Sequence, residues 1–115
     1  MDFPPLEEGK NTMALTPERK VKNKVVALLK TRGVYYFFPA TYGMGRSGVP
    51  DVICCFNGRF LAIECKAAGG KLTALQVREI ETIRRCGGVA IVANEQNWEM
   101  VRPLLRELSS KEQPK

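Results

Sequence analysis

A two-residue turn between two apolar segments constrains the fold of this chain more than any other feature. Asn57-Gly58 separates residues 51–56 from residues 59–66, and both segments are rich in apolar side chains. Asn-Gly is the preferred pair at the centre of a type I′ turn, because both central residues of that turn need a positive φ. The sequence therefore predicts a β-hairpin closed by a two-residue loop.

The hairpin determines which side chains face one another across its two strands. With a two-residue loop, Phe56 pairs with Arg59, and counting away from the turn places Asp51 opposite Glu64. Lys66 lies two residues beyond Glu64, so its side chain points to the same face. Two carboxylates at cross-strand distance repel each other unless a cation lies between them. The spacing therefore predicts that two acids and one lysine converge at one end of the hairpin.

An ordinary solvated strand edge is the alternative interpretation of these three residues. A Glu-x-Lys pattern on a strand usually has no other meaning. The neighbouring residues of both segments, however, are apolar on both faces, which is typical of strands inside a sheet. Charges at the end of a buried hairpin carry a desolvation cost, so a functional cluster is favoured.

The residue types restrict the possible chemistry to carboxylates, lysine or metal. The chain contains no histidine, which excludes Ser-His and Cys-His catalysis. Its cysteines form no C-x-x-C pair, so structural zinc is not expected. Three of the four lie in apolar runs, which predicts small buried residues in a reducing compartment. The four cysteines are Cys54, Cys55, Cys65 and Cys86.

A hard divalent cation fits the predicted acid pair. Mg²⁺ and Mn²⁺ prefer oxygen ligands and keep several waters, so two carboxylates and a backbone carbonyl would suffice. A bound metal polarises a phosphoryl oxygen and lowers the pKa of its water, which gives a nucleophile at neutral pH. Lys66 would orient that water or stabilise the charge that develops on the phosphate.

Helices and strands are predicted on both sides of the hairpin. Thr16, a capping hydroxyl before Pro17, predicts the start of a helix that ends at Gly33. The other predicted elements are a strand over 34–38, a helix from 73 to about 85, a strand over 89–93 and a helix over 97–108. Pro103 is expected to kink the last helix. The order αβββαβα predicts an α/β fold, in which a mixed sheet is flanked by helices and its last strand lies parallel to a neighbour.

Composition divides the chain into one domain and two polar ends. Residues 1–15 are predicted to be a flexible N-terminal arm, 16–108 a single domain and 109–115 a polar tail. The N-terminus is acidic and proline-rich, unlike a secretory signal peptide. No apolar run approaches the roughly 20 residues that span a bilayer. An intracellular, cytoplasmic protein without membrane contact is therefore expected.

The net charge of +6, with a pI near 9.4, favours a polyanionic partner, because neutralising phosphates releases condensed counterions. Solubility alone explains such a charge equally well. Charge therefore points towards nucleic acid without identifying a function.

Three motifs taken together resemble the PD-(D/E)xK nucleases, and more narrowly their VRR-NUC branch, the virus-type replication-repair nucleases. Each motif is weak alone, but their order and spacing are specific, and the resemblance spans about residues 18 to 93. It implies the restriction-endonuclease-like αβββαβ core, plus a C-terminal helix in this chain. The motifs are Gly48-Val49-Pro50-Asp51, Ala62-Ile63-Glu64-Cys65-Lys66 and Gly70-Lys71-Leu72-Thr73-Ala74-Leu75-Gln76.

The resemblance also implies roles for individual residues. Asp51 and Glu64 would be metal ligands, aided by the backbone carbonyl of Cys65, and Lys66 would be catalytic. It further suggests Gln76 as an active-site residue. The alternative for Gln76 is a capping box that starts with Thr73.

The family also suggests an acid on the first helix near the metal, and Glu18 is the candidate. Its alternative interpretation is a first-turn acid that complements the helix dipole.

Polar and basic residues around the predicted site would contact DNA phosphates, although a solvated surface charge is the more common role of any single one. Tyr35, Tyr36 and Phe37 are predicted to lie in the core or an interface rather than to stack on bases. The candidate DNA-binding residues are Arg46, Ser47, Lys71, Arg84 and Arg85.

The function that the resemblance implies is a Mg²⁺- or Mn²⁺-dependent, structure-selective DNA endonuclease. Stand-alone members of the branch are typically encoded by phages or bacteria and act on branched DNA in repair. A Holliday-junction resolvase-like homodimer is therefore expected. A flap or other branched-DNA nuclease, a restriction-type endonuclease and a non-catalytic DNA-binding module with a nuclease fold are the alternatives.

Overall fold

Four strands form one mixed sheet with helices on both of its faces. A computed structural model describes residues 15–40 and 43–110. Its order of elements and its mixed sheet confirm the predicted α/β fold class with a C-terminal helix. The elements are α1 (Pro17–Thr31), β1 (Tyr35–Phe37), β2 (Val52–Phe56), β3 (Arg59–Cys65), α2 (Ala74–Arg85), β4 (Val89–Ala93), one turn of 3-10 helix (Trp98–Met100) and α3 (Val101–Ser110).

The strands lie in the order β1-β2-β3-β4. The first two pairings are antiparallel and the third is parallel, because α2 carries the chain back across the sheet. At the hairpin, Phe56 pairs with Arg59, and Asn57 and Gly58 have φ values of 54° and 76°. The predicted type I′ hairpin and its register are therefore confirmed.

The alternation of side chains along β3 divides the core between two layers. Leu61, Ile63 and Cys65 are buried on the face covered by α1 and α3. Ala62 is buried on the opposite face, against Ile80 of α2. Glu64 shares that second face by the period of two, so the sheet directs an acidic side chain into the layer that contains α2.

The ends of the helices follow the predicted capping signals. The Thr16 hydroxyl accepts a hydrogen bond from the Arg19 backbone N–H at 3.1 Å, and Gly33 follows α1 with a φ of 70°. The backbone N–H of Val34 donates to the Leu29 carbonyl at 3.1 Å. Val34 therefore completes the end of α1, and β1 is shorter than predicted at both ends.

The last helix differs from its prediction near Pro103. A 3-10 turn precedes α3, so that Pro103 lies in the first turn of α3 and not in its middle. Backbone N–H groups in a first turn have no carbonyl acceptor within the helix, so proline removes no hydrogen bond there. The reason for expecting a kink at Pro103 therefore does not apply, because the helix starts later than expected.

The predicted burial of three cysteines was wrong for one of them. Cys54 and Cys65 are buried, but Cys55 is exposed, because it points to the sheet face that α2 covers only in part.

The aromatic residues of β1 divide between the core and the surface. Tyr36 packs against the core, whereas Tyr35 and Phe37 are 67% and 45% exposed. A role of these two exposed residues in an interface stays a prediction.

The predicted arm and tail fall mostly beyond the described residues. Leu15 is exposed, and α3 continues through Ser110, two residues into the predicted tail. The remaining arm residues, 1–14, and the tail residues 111–115 lie outside the described part of the chain. None of the helices within 15–40 and 43–110 is long and apolar enough to cross a membrane.

Candidate active site

The hairpin register brings Asp51 and Glu64 together. Val52 pairs with Ile63, so Asp51, one residue before β2, faces Glu64 near the end of β3. The Asp51 carboxylate accepts a hydrogen bond from the Cys65 backbone N–H at 2.9 Å. This bond ties Asp51 to the end of β3, where Glu64 lies, and so keeps the two acids near each other.

Glu64 is a buried acid with an unusual proton affinity. Its side chain is 3% exposed, and burial together with the charge of Asp51 raises the pKa of Glu64 to about 7. The positive charge of Lys66 acts in the opposite direction, and Glu18 adds a smaller rise. Near neutral pH, this carboxylate therefore favours the binding of a proton or a cation.

Gln76 serves both as a helix cap and as a partner of Glu64. Its backbone N–H donates to the Thr73 hydroxyl at 3.1 Å, and its side-chain oxygen accepts from the Thr73 backbone N–H at 2.9 Å. Its Nε2 donates to Oε2 of Glu64 at 3.1 Å. The capping box thus holds the side-chain amide of Gln76 in place. The Nε2 group of that amide then orients the buried carboxylate of Glu64. The two interpretations of Gln76 are compatible.

Lys66 and Glu18 are less firmly placed. The backbone N–H of Lys66 donates to the Ala93 carbonyl at 2.9 Å, which anchors the chain beyond β3. Within the described ranges, Lys66 forms no close ion pair with an acid. Glu18 lies exposed in the first turn of α1, where it influences Glu64 only through its charge.

The donor set at this end of the hairpin suits a hard cation. Burial raises the pKa of the Cys65 thiol to about 12, so its sulfur stays protonated and only its carbonyl oxygen is available. Among the described residues, no three Asp, Glu, His or Cys side chains gather into a cluster that could hold an ion. An ion here would therefore use Asp51, Glu64, a backbone carbonyl and water. Mg²⁺ and Mn²⁺ accept such all-oxygen, partly hydrated coordination.

Comparison with known proteins identifies the family of this chain. The VRR-NUC domain model matches residues 8–97, which is most of the chain. The chain belongs to the VRR-NUC family. A phage relative, named "Putative nuclease p44", from Acyrthosiphon pisum secondary endosymbiont phage 1, is 33% identical over 93 residues. That alignment covers 79% of this chain and 97% of the relative.

A solved structure described as a VRR_NUC domain protein has the same fold. It superposes with a TM-score of 0.67 and covers 86% of this chain and 93% of its own. Its sequence identity is 22%, so the likeness concerns the fold alone. The predicted membership of the VRR-NUC branch is confirmed, and the chain is a nuclease-family protein.

The VRR-NUC site has a further charged pair that the sequence analysis missed. Arg46, predicted to contact DNA, donates to both carboxylate oxygens of Glu79 on α2 at 2.8 to 3.1 Å. This ion pair lowers the pKa of Glu79. Glu79 follows Gln76 by three residues, a spacing that places both on one face of a helix. That spacing was the available signal.

The other candidate DNA contacts of this VRR-NUC domain divide into two groups. Ser47 and Lys71 are exposed in the loops next to the acid pair. Arg84 lies eight residues beyond Gln76, or about 12 Å along the helix axis, and donates to the Ala90 carbonyl at 2.7 Å and 3.1 Å. Arg85 is exposed beside it. Contact between these residues and DNA stays a prediction.

Proposed function

We propose that this VRR-NUC protein is a metal-dependent, structure-selective DNA endonuclease that resolves four-way junctions as a homodimer. The observation that carries the proposal is the pairing of Asp51 with the buried Glu64 across the hairpin. A buried carboxylate beside a second acid is costly unless a proton or a cation accompanies it. An oxygen-ligated Mg²⁺ or Mn²⁺ would relieve that cost and serve catalysis at once.

Each residue of the site has a distinct part in the proposed reaction. Bound Mg²⁺ or Mn²⁺ supplies Lewis acidity and an activated water. Asp51, Glu64 and the Cys65 carbonyl would hold the ion at the end of the hairpin. Gln76 keeps the Glu64 carboxylate in one orientation through its 3.1 Å hydrogen bond. Lys66, two residues beyond Glu64, would donate a hydrogen bond to the phosphate oxygens, on which negative charge builds during cleavage.

The proposed substrate follows from symmetry and charge. One site per small domain cuts one strand, and a two-fold homodimer would place a second, equivalent site for the opposite strand. The net charge of +6 suits the DNA backbone. A four-way junction offers two symmetry-related strands to such a dimer. A non-catalytic binding module is disfavoured, because both acids and the lysine are present.

Cleavage of a labelled panel tests this proposal. Four-way junctions, flaps and linear duplexes of one sequence would be incubated with Mg²⁺, with Mn²⁺ or with EDTA. The proposal predicts paired cuts in the junction, dependent on metal and faster than cuts in the linear duplex. Binding of DNA without cleavage in any buffer would refute it. Sequence-fixed cuts in linear DNA would favour a restriction-type enzyme, and preferred cutting of flaps would favour a flap nuclease.

Replacing Gln76 by alanine should slow cleavage without abolishing it. Loss of a partner that orients a metal ligand typically costs about 10- to 100-fold in metal affinity or activity. The same change removes one of the two hydrogen bonds of the capping box, at a cost of about 1 kcal/mol in stability. Single-turnover cleavage rates and thermal unfolding measure the two effects separately.

Thr73→Ala is the matched control for Gln76→Ala. It removes the capping hydroxyl but leaves the Gln76 amide that reaches Glu64. Thr73→Ala should therefore lose similar stability and much less activity. Equal losses of activity in the two variants would mean that Gln76 acts only as a cap.

A further inference from the structure

Glu79 is a buried acid that the proposed reaction does not use. It is 4% exposed, and Arg46 binds it in a bidentate arrangement. Nε donates to Oε1 at 3.0 Å and to Oε2 at 3.1 Å, and Nη2 donates to Oε2 at 2.8 Å. Paired, charge-assisted hydrogen bonds of this kind fix geometry more firmly than a single contact does. The pair spans 33 residues of sequence and joins the glycine-rich loop to α2.

Gly48 provides a second point of contact between the same loop and the same helix. Its φ is 82°, and a Cβ at this position would lie 2.7 to 2.9 Å from backbone atoms of Leu75 and Gln76. Such distances are shorter than real Cβ contacts, so only glycine allows the loop to pack this closely. The backbone of the loop therefore rests directly on the first turn of α2.

These two contacts lie close in the chain to Asp51, a candidate metal ligand, and to the amide that binds Glu64. Only Val49 and Pro50 separate Gly48 from Asp51, and α2 carries the Gln76 amide that binds Glu64. The loop thus leads directly to Asp51, while α2 carries the amide that orients the Glu64 carboxylate of β3. The position of Asp51 relative to that amide depends on how tightly the loop is held against the helix.

We infer that Arg46 and Glu79 form a positioning pair that clamps the glycine-rich loop onto α2 and sets the place of Asp51 relative to Glu64 and Gln76. The inference rests on the proposed function of the acid pair for its catalytic consequence. The clamp itself does not depend on that function. Arg46 acts here through Asp51 and not as a phosphate contact, because its Nε and Nη2 are directed at Glu79.

Limited proteolysis tests the clamp without reference to nuclease activity. Trypsin cleaves after arginine, and cleavage of the Arg46–Ser47 bond requires release of the guanidinium from Glu79. Glu79→Ala should raise the rate of this cleavage about tenfold, because it removes the charged partner that holds the guanidinium. Mass spectrometry of the native, metal-free protein would identify the cut.

Glu81→Ala is the matched control, because Glu81 lies exposed on the same helix. It should leave the rate of cleavage after Arg46 at the wild-type value. Equal rates in the wild type, Glu79→Ala and Glu81→Ala would overturn the clamp, whatever the protein cleaves.

A double-mutant cycle tests the catalytic consequence. Arg46→Ala, Glu79→Ala and the double variant should each lower kcat for junction cleavage about tenfold, with KM for DNA unchanged and the double variant no worse than either single one. The double variant also avoids leaving Glu79 buried without a cation. Arg46→Lys should not restore kcat, because an ammonium cannot form the bidentate contact.

A direct phosphate contact by Arg46 would give a different pattern. Arg46→Ala would then raise KM, Glu79→Ala would not, and the two effects would be independent. That pattern would overturn the positioning role even if the clamp exists. Absence of cleavage by the wild-type protein would instead refute the proposed function and leave the proteolysis result standing.

Discussion

Asp51→Asn should abolish cleavage while leaving the fold intact. Asparagine keeps the size of the side chain, and its amide oxygen can still accept the 2.9 Å hydrogen bond from the Cys65 backbone N–H. It loses the negative charge that a hard cation requires. A loss of about 4 kcal/mol of transition-state stabilisation corresponds to roughly a thousandfold lower rate.

Single-turnover cleavage of a four-way junction and circular dichroism together measure this result. Glu81→Gln is the matched control, because it removes one negative charge from an exposed position by the same isosteric change. It should cleave at the wild-type rate. Unfolding of Asp51→Asn along with loss of activity would assign Asp51 a structural role, and near-normal cleavage would remove it from the site.

Glu64→Gln should likewise abolish cleavage, and it should also stabilise the metal-free protein at neutral pH. Glu64 is 3% exposed, and its pKa is raised to about 7 by burial and by Asp51. Glutamine keeps an oxygen that can accept from Gln76 but carries no charge to desolvate. The folded protein therefore no longer has to hold a buried carboxylate next to a second acid.

The stabilisation should depend on pH in a defined window. Between the ordinary pKa of 4.5 and the folded pKa of about 7, the folded state retains a proton that the unfolded state has lost. The unfolding free energy of the wild type therefore falls as pH rises through this window. A shift of this size corresponds to about 3 kcal/mol. The advantage of Glu64→Gln should grow from near zero at the lower end to that value at the upper end.

Urea unfolding in EDTA, at both ends of this window, measures the difference between Glu64→Gln and the wild type. Glu81→Gln serves again as the control and should show no such change with pH. A difference in unfolding free energy that stays constant across this pH window would mean that folding does not raise the pKa of Glu64.

The hairpin could be predicted from sequence because the residues that determine it are neighbours in the chain. Two residues, Asn57 and Gly58, determine the loop, and strand periodicity then determines the register as far as Asp51 and Glu64. Thr16 and Thr73 likewise predict the helix starts through caps that involve only near neighbours. These local rules sufficed to place Asp51 opposite Glu64.

The missed features depend on how α2 packs on the sheet. The capping box of Thr73 and Gln76 is visible in sequence, but its bond to Glu64 exists only because α2 crosses that face. The pairing of Arg46 with Glu79 joins segments 33 residues apart, and no local rule selects one arginine among the many basic residues. Cys55 is exposed for the same reason, since the helix covers only part of the face to which it points.

A crystal structure in Mn²⁺, with anomalous data collected at the manganese edge, would show whether Asp51 and Glu64 bind one metal ion. We expect an anomalous peak between the carboxylates of Asp51 and Glu64, beside the Cys65 carbonyl. Side chains of Asp51 and Glu64 that point apart, with no peak between them at saturating manganese, would contradict it.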